Sequence, residues 1–242
     1  MLASNLKTMI KRLISSIPNT ITSFNLISGI IAIFFSFHYS DTFGCLLGYQ
    51  WAFVAIAAAA LFDFCDGASA RLLHAYSPLG ADLDSLADLV SFGVAPAMLL
   101  LNVLLTANDA HWASFIAIFI PVMGAFRLAK FNNDDTQKTS FSGLPIPANA
   151  IFWIGFTAFM LENQVTFGPW WTTVVVICIS LLMVSRMRMF SLKFKNFDWR
   201  ENFSRYVLIL ATIAFVIQFG VPGLMWTILF YILLSAVSKK AA

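Results

Sequence analysis

The sequence predicts an all-α fold: a polytopic transmembrane helical bundle of about eight spans, preceded by an N-terminal amphipathic helix lying at the membrane interface. Three observations predict it. The 242 residues are 60% hydrophobic and 11% charged, with a mean hydropathy of +0.81, which is more apolar surface than one soluble core could bury. That surface is divided into runs near 20–39, 47–70, 84–106, 112–130, 146–161, 170–187, 204–219 and 222–238. Most approach the roughly 17 to 25 residues that cross about 30 Å of hydrocarbon as a helix, and the shorter runs leave seven spans as the alternative count. With eight spans, all 15 Lys and Arg residues fall on one side.

Taken in order, the chain begins with Leu2, Leu6, Met9, Ile10, Leu13 and Ile14 at helical spacing, with Lys7 and Lys11 opposite. This is the pattern of an interfacial helix over 1–17 and not the continuous apolar core of a signal peptide. Arg71 then lies between the second and third spans, Arg127, Lys130 and Lys138 between the fourth and fifth, and six more basic residues (186–205) between the sixth and seventh. Lys239 and Lys240 follow the last, while the opposite connections (YSDTFG, TANDAH, LENQVTFGP, QFGVP) carry no Lys or Arg. The positive-inside rule then puts both termini and the connection after Arg71 in the cytoplasm, the chain being an integral protein of the cytoplasmic (inner) membrane. The net charge of +3 reads as topology and contact with anionic lipid, with nothing to suggest nucleic acid. Cys45, Cys65 and Cys178 are odd in number and widely separated, so free thiols are expected.

The stretch DFCDGASARLLHAYSPLGADLDSLAD, residues 63–88, holds five aspartates. One Asp at the centre of a spanning helix costs about 2.5 to 3.5 kcal/mol, so a group of them requires compensation. Asp63, Asp66, Gly67 and Ala70 stand at i, i+3, i+4 and i+7, and Gly80, Asp84, Asp88, Ser91 and Ala95 follow the same rule on the next helix, so acids and small residues share a face on each. Opposed, these faces make a polar cleft with open space in it. Asp82, two positions before Asp84, points elsewhere, and Cys65 is rotated about 200° from its neighbouring acids. Two divalent cations would neutralise four carboxylates, and an all-oxygen set without His or Cys suits Mg²⁺, Mn²⁺ or Ca²⁺ over zinc. Two metals roughly 3.5 to 4 Å apart can clamp displacement at phosphorus, with Arg71 as a phosphate partner. A structural alternative makes Gly67 a helix C-cap and Asp82 or Asp84 an N-cap, which accounts for two acids but not for four.

The pattern D63-x2-D66-G67-x2-A70-R71-x8-G80-x3-D84-x3-D88 resembles the signature of the CDP-alcohol phosphatidyltransferases. The segments SLADLVSFGVAPA (85–97), AFRLAKFN (125–132), FSGLPIPANA (141–150) and SRMRMFSLK (185–193) resemble the membrane-embedded phosphatidylserine synthases of bacteria and archaea. The resemblance covers roughly the first six spans. It divides the chain into the helix of 1–17, a six-span core over 18–190, and a loop with two additional helices over 191–242. It implies transfer of the phosphatidyl group from CDP-diacylglycerol to the hydroxyl of L-serine, giving phosphatidylserine and CMP, in a homodimer. By the same resemblance Asp63 and Asp84 bridge two metal ions, Asp66 holds one, and Asp88 holds the other and acts as general base. Gly67, Ala70, Arg71, Ser77 and Gly80 match contacts to CDP-diacylglycerol, and PNTIT (18–22) adds Asn19 and Thr22.

A zwitterionic acceptor needs a cation for its carboxylate, and bidentate guanidinium is the best geometric match. Arg127, Lys130, Arg186 and Arg188 are the candidates for serine, against the alternative that they are ordinary positive-inside anchors. Two rival functions remain. A cation channel or carrier would place acids at mid-depth along a path across the bilayer, whereas Asp41, Asp109 and Glu162 all fall in external loops. Transfer to glycerol phosphate or inositol phosphate would demand more cationic ligands than serine does.

Overall fold

The computed structural model describes residues 2–107, 111–133, 141–190, 192 and 198–237, with residues 2–15, 141, 200 and 201 as backbone only. The side chains of residues 1–15, which carry the expected amphipathic pattern, and the basic residues Lys138, Lys193, Lys195, Lys239 and Lys240, lie outside the described residues. Among the described residues five helices are long and apolar enough to cross a membrane: Ser16–Phe37, Gly48–Leu72, Pro78–Ala107, His111–Asn133 and Asn202–Phe219. Three shorter apolar helices, Ile146–Glu162, Pro169–Val184 and Gly223–Val237, occupy the other expected runs. The chain forms two compact units, residues 1–95 and 96–242.

Unit 1 is built on α1 (Leu2–Phe37), a short antiparallel pair β1 (Thr42–Phe43) and β2 (Leu46–Leu47), α2 (Gly48–Leu72) and α3 (Pro78–Asp88), the last continuing into a π-helical segment over Leu89–Val94. The sequence predicts a boundary between an interfacial helix and the first span near residue 17, but α1 runs through Pro18 without a break. Proline removes one backbone donor, which a spanning helix tolerates where Ser and Thr hydroxyls serve nearby carbonyls. Here Thr20 Oγ1 donates to the Ser16 carbonyl at 2.9 Å, Thr22 Oγ1 to Pro18 at 3.0 Å and Ser23 Oγ to Asn19 at 2.8 Å. Between α1 and α2 the contact is made by small and aromatic residues. Ala32, Ala52, Ala55 and Ala59 are buried, Phe24 meets Phe62, and Phe35 stacks on Trp51. Small residues let helix backbones approach where lipid offers no hydrophobic drive to association.

The turn into α3 is set locally. Ser77 is its N-cap, accepting from the Gly80 amide at 3.0 Å, and Pro78 follows in the first turn, the preferred chemistry for a helix start. The cap moves the start of this helix six residues ahead of the run expected from 84, so the acid-bearing turns are part of the same span. Gly67 is not a cap, since α2 continues to Leu72, and neither Asp82 nor Asp84 caps α3.

Unit 2 contains α4 (Ala95–Ala107), the short α5 (His111–Ser114) leading through a 3₁₀ turn into α6 (Phe119–Asn133), then β3 (Phe141–Ser142), α7 (Ile146–Glu162), α8 (Pro169–Val184), β4 (Arg188–Met189), α9 (Trp199–Phe219) and α10 (Gly223–Val237). Its centre is α7, where Phe152, Trp153, Phe156 and Ala158 are buried and the Trp153 indole donates to Asn149 Oδ1 at 2.9 Å. Much of the apolar surface of α9 faces outward, with Leu210 and Ile217 exposed and Leu208 buried, as expected of a helix with one side in lipid. At the crossing of α7 and α10, a Cβ on Gly155 would overlap the backbone nitrogen of Met225.

Gly155→Leu is therefore expected to force α7 and α10 apart, costing about 1 to 3 kcal/mol or more. The check is a several-degree fall in the thermal midpoint of the detergent-solubilised protein, with Gly168→Leu, where the space is open, as the unaffected control.

Candidate metal and nucleotide site

The aspartates of α2 and α3 meet within unit 1. Asp63, Asp66 and Asp84 each offer a carboxylate oxygen, and these oxygens lie within 4.8 Å of one another. The 3-residue step from Asp63 to Asp66 puts both on the face of α2 turned to α3, and the Ser77 cap sets the start of α3 and with it the position of Asp84. Unit charges about 4 Å apart repel by on the order of 4 kcal/mol at an effective dielectric of 20, so the group needs a counter-charge. Asp82 is exposed and outside the group, and the half-buried Cys65 is outside it as well. Both agree with the helical-face argument.

Hydrogen bonds fix the carboxylates. Thr22 Oγ1 donates to Asp66 Oδ2 at 2.6 Å. Asp88 is buried one turn beyond Asp84, outside the group of three but within electrostatic reach of Asp63, Asp84 and Asp66. Its Oδ1 accepts from Asn25 Nδ2 at 3.1 Å. Asn25 is fully buried, and its backbone carbonyl accepts from Ser91 Oγ at 3.0 Å. The π-helical segment begins just after Asp88. Its wider turn shifts the 3.6-residue stripe that the sequence suggests from Gly80 to Ala95, and π turns of this kind recur at functional sites. Asn25 is the functional residue that the sequence reading missed. The signal was present, because Asn25 is three residues after Thr22 and so shares its face on α1.

Beside the carboxylates is a cleft of about 210 Å³. Six of the seven positions matched to CDP-diacylglycerol line it: Asn19, Thr22, Gly67, Ala70, Ser77 and Gly80, together with Asp66 and Asp84. Gly67 keeps it open, since a Cβ there would meet nothing nearer than Arg71 Nη1 at 3.6 Å. Gly80 makes room differently: a Cβ would come within 2.9 Å of both Asn19 Oδ1 and Ser77 Oγ. Arg71 does not line the cleft. It is exposed, with its guanidinium folded back over Gly67. Ser77 has a structural role as cap in addition to its place in the lining.

The donor set fits a divalent cation. It is all carboxylate oxygen, the preference of hard cations, and Asp84 Oδ1 is buried with no hydrogen-bond partner among the described residues. A buried acceptor left unpaired is costly, and a cation would satisfy it.

The acceptor candidates all belong to unit 2. Arg127, on α6, is 5% exposed. Its guanidinium carbon lies 5.2 Å from the Phe131 ring centre and its Nε has no hydrogen-bond partner among the described residues. Lys130 Nζ reaches the Val184 carbonyl at the end of α8, at 3.4 Å, the helix-capping behaviour of an anchor. Arg186 and Arg188 follow α8 and are exposed.

Residues 15–168 match the family described as CDP-alcohol phosphatidyltransferase. The chain belongs to that family. Family members use divalent metals in general. The chain is similar to proteins named CDP-diacylglycerol--serine O-phosphatidyltransferase. It is 36% identical to the one from Mycobacterium leprae over 186 residues, 72% of this chain and 57% of that one. Identity to the Helicobacter pylori protein is 31% over 205 residues, 82% and 81% of the two chains. For Bacillus subtilis it is 34% over 176 residues, 71% and 88%. The chain thus spans little more than half the length of the mycobacterial relative.

Mn²⁺ binding to the purified protein, followed by electron paramagnetic resonance, tests the cluster. Asp84→Ala should weaken it by more than the roughly 10- to 100-fold that losing an outer hydrogen-bond partner costs, and Thr22→Val by about that amount. Asp82→Ala should leave it unchanged, and equal losses at Asp82 and Asp84 would contradict the assignment.

Proposed function

We propose that this protein transfers the phosphatidyl group of CDP-diacylglycerol to the hydroxyl of L-serine, giving phosphatidylserine and CMP. The observation that carries the reading is the convergence of Asp63, Asp66 and Asp84 beside a cleft lined by Gly67, Ala70 and Gly80, in a chain similar to enzymes named for this reaction. Asp63, Asp66, Asp84 and Asp88 would hold two divalent cations, Mg²⁺ or Mn²⁺. Such ions would supply charge neutralisation for the diphosphate and for the negative charge developing at phosphorus. The enzyme works at the cytoplasmic face of the inner membrane with both termini cytoplasmic, a placement supported by the one-sided distribution of Lys and Arg. The homodimer implied by the family resemblance belongs to the same reading.

The chain's own residues then have defined tasks. The cleft around Gly67 and Gly80 admits the cytidine diphosphate, and Asn19, Ser77 and Arg71 are the polar groups beside it. Asp88 takes the proton of the serine hydroxyl while that oxygen forms the new bond to the phosphorus bearing diacylglycerol, and the bond from that phosphorus to CMP breaks. Asn25 holds one oxygen of Asp88 and leaves the other for the proton. General-base help of this kind is worth about 10² to 10⁴ in rate. For the serine carboxylate, Arg127 is the leading candidate because its Nε is buried and unpaired among the described residues, and a buried donor left without an acceptor is costly. Arg186 and Arg188 are secondary candidates, and Lys130 is engaged at the end of α8.

The deciding experiment incubates purified protein with CDP-diacylglycerol, Mg²⁺ or Mn²⁺, and a panel of L-serine, glycerol phosphate and inositol phosphate. Phosphatidylserine and CMP are expected with serine alone and nothing after chelation. A phosphorylated lipid product would overturn the acceptor assignment.

Asp88→Asn retains size but loses the base, so kcat should fall by about 10² or more while CDP-diacylglycerol still binds. Serine-independent exchange of CMP into the CDP-lipid in wild type would instead indicate a covalent phosphatidyl-enzyme.

Arg127→Lys keeps the charge but loses the planar fork, so the serine KM should rise about tenfold with little change in the KM for CDP-diacylglycerol. An unchanged serine KM would remove Arg127 from the acceptor site.

A further inference from the structure

The segment that leaves α8 carries Arg186 and Arg188 alternating with Met187 and Met189. Arg186 and Arg188 are exposed and Met189 is 3% exposed. In extended chain the side-chain period is two, so a slip of one residue would exchange the positions of the arginines and the methionines. What fixes the register decides where two cations point.

One edge of the segment is held by β3. Ser142 pairs with Arg188 and Phe141 with Met189, and the Gly143 amide donates to the Met187 carbonyl at 2.8 Å. Gly143 has φ +80, and a Cβ there would strike the Met183 carbonyl oxygen, so only glycine lets β3 lie this close. A pair of strands two residues long is marginal by itself.

The far end of the segment is held by α10, which the family resemblance leaves outside the six-span core. Tyr231 is 2% exposed. Its hydroxyl donates to the Phe190 carbonyl at 2.9 Å, and its ring meets that of Phe190 edge-on, centroids 5.0 Å apart. That carbonyl lies two residues past Arg188. Tyr231 is itself fixed, because α10 crosses α7 in backbone contact at Gly155 and Met225.

We propose that Tyr231 is a positioning residue for the acceptor carboxylate: by anchoring the Phe190 carbonyl, α10 holds the register that presents Arg186 and Arg188. The inference rests on the reading that one or both arginines meet the carboxylate of serine. It gives the C-terminal pair of helices a part in substrate recognition without contact between either helix and the substrate.

The test uses the full-length protein in lipid nanodiscs with CDP-diacylglycerol and Mn²⁺. Serine KM, CDP-diacylglycerol KM, kcat and the thermal midpoint are compared for wild type, Tyr231→Phe, Arg186→Ala, Arg188→Ala, and Tyr231→Phe combined with each arginine variant. Tyr231→Phe keeps the ring and loses only the hydroxyl. It should raise serine KM about three- to tenfold, the scale of one lost neutral hydrogen bond. CDP-diacylglycerol KM and kcat should stay near wild type, and the thermal midpoint should fall by no more than a few degrees. In the background of the arginine that binds serine, Tyr231→Phe should add little, because the two changes act through one contact. If an arginine variant raises serine KM and Tyr231→Phe does not, or if their effects simply add, the positioning role is wrong while the acceptor reading stands. If neither arginine variant changes serine KM, the acceptor reading for this segment fails and the inference with it.

Discussion

Asp63, Asp66 and Asp84 bring their oxygens within 4.8 Å of one another on two membrane-spanning helices, and Asp88 is buried one turn beyond. Each carboxylate would cost about 2.5 to 3.5 kcal/mol at the centre of a span, and together they oppose a fold whose whole stability is on the order of 5 to 15 kcal/mol. Much of unit 1 can be understood as the answer to that cost. Thr22 and Asn25 on α1 supply donors to Asp66 and Asp88. Asp84 Oδ1, a buried carboxylate oxygen, has no hydrogen-bond partner among the described residues, and a cation would satisfy it. The small residues that let α1 and α2 approach are also what bring Thr22 and Asn25 within reach of acids on other helices.

The same economy of position extends to the substrates. Gly67 and Ala70 share a helical face with the acids, so open space lies beside the carboxylates, where the proposed reaction needs room for a nucleotide diphosphate. Ser77 starts α3 by capping it and lines the cleft by the same placement. In unit 2, the guanidinium of Arg127 is buried beside Phe131 with its Nε unpaired among the described residues, which suits the proposed site completed by a carboxylate arriving from solution. Phosphoryl transfer asks little covalent chemistry of the protein, and placement with electrostatics supplies most of the effect.

The parts legible in the sequence were those governed by one period and one composition rule. Each expected apolar run is a helix, because in lipid a spanning segment must satisfy its own backbone. The acid faces were legible because i+3 and i+4 spacing fixes which side chains meet. Asp82 falls outside them for the same reason. The misses arose where a local rule was overridden. The amphipathic pattern of the first residues suggested a boundary near residue 17, yet α1 continues through Pro18, with neighbouring Ser and Thr hydroxyls hydrogen-bonded to its carbonyls. The stripe from Gly80 to Ala95 assumed a uniform helix and did not anticipate the π turn after Asp88. Asn25 escaped because its partner is 63 residues away, and Tyr231 because its partner is a backbone carbonyl, which has no signature in sequence.

The central claim is that divalent cations compensate the buried carboxylates, and thermal unfolding of the purified protein against metal concentration tests it most directly. A ligand that binds only the folded state stabilises it by about 2.7 kcal/mol at 100 times its Kd. The account predicts a saturable rise in the thermal midpoint of wild type with Mg²⁺ or Mn²⁺, and little or none in Asp63→Ala or Asp84→Ala. A wild-type midpoint indifferent to metal, or an equal rise in the variants, would contradict it.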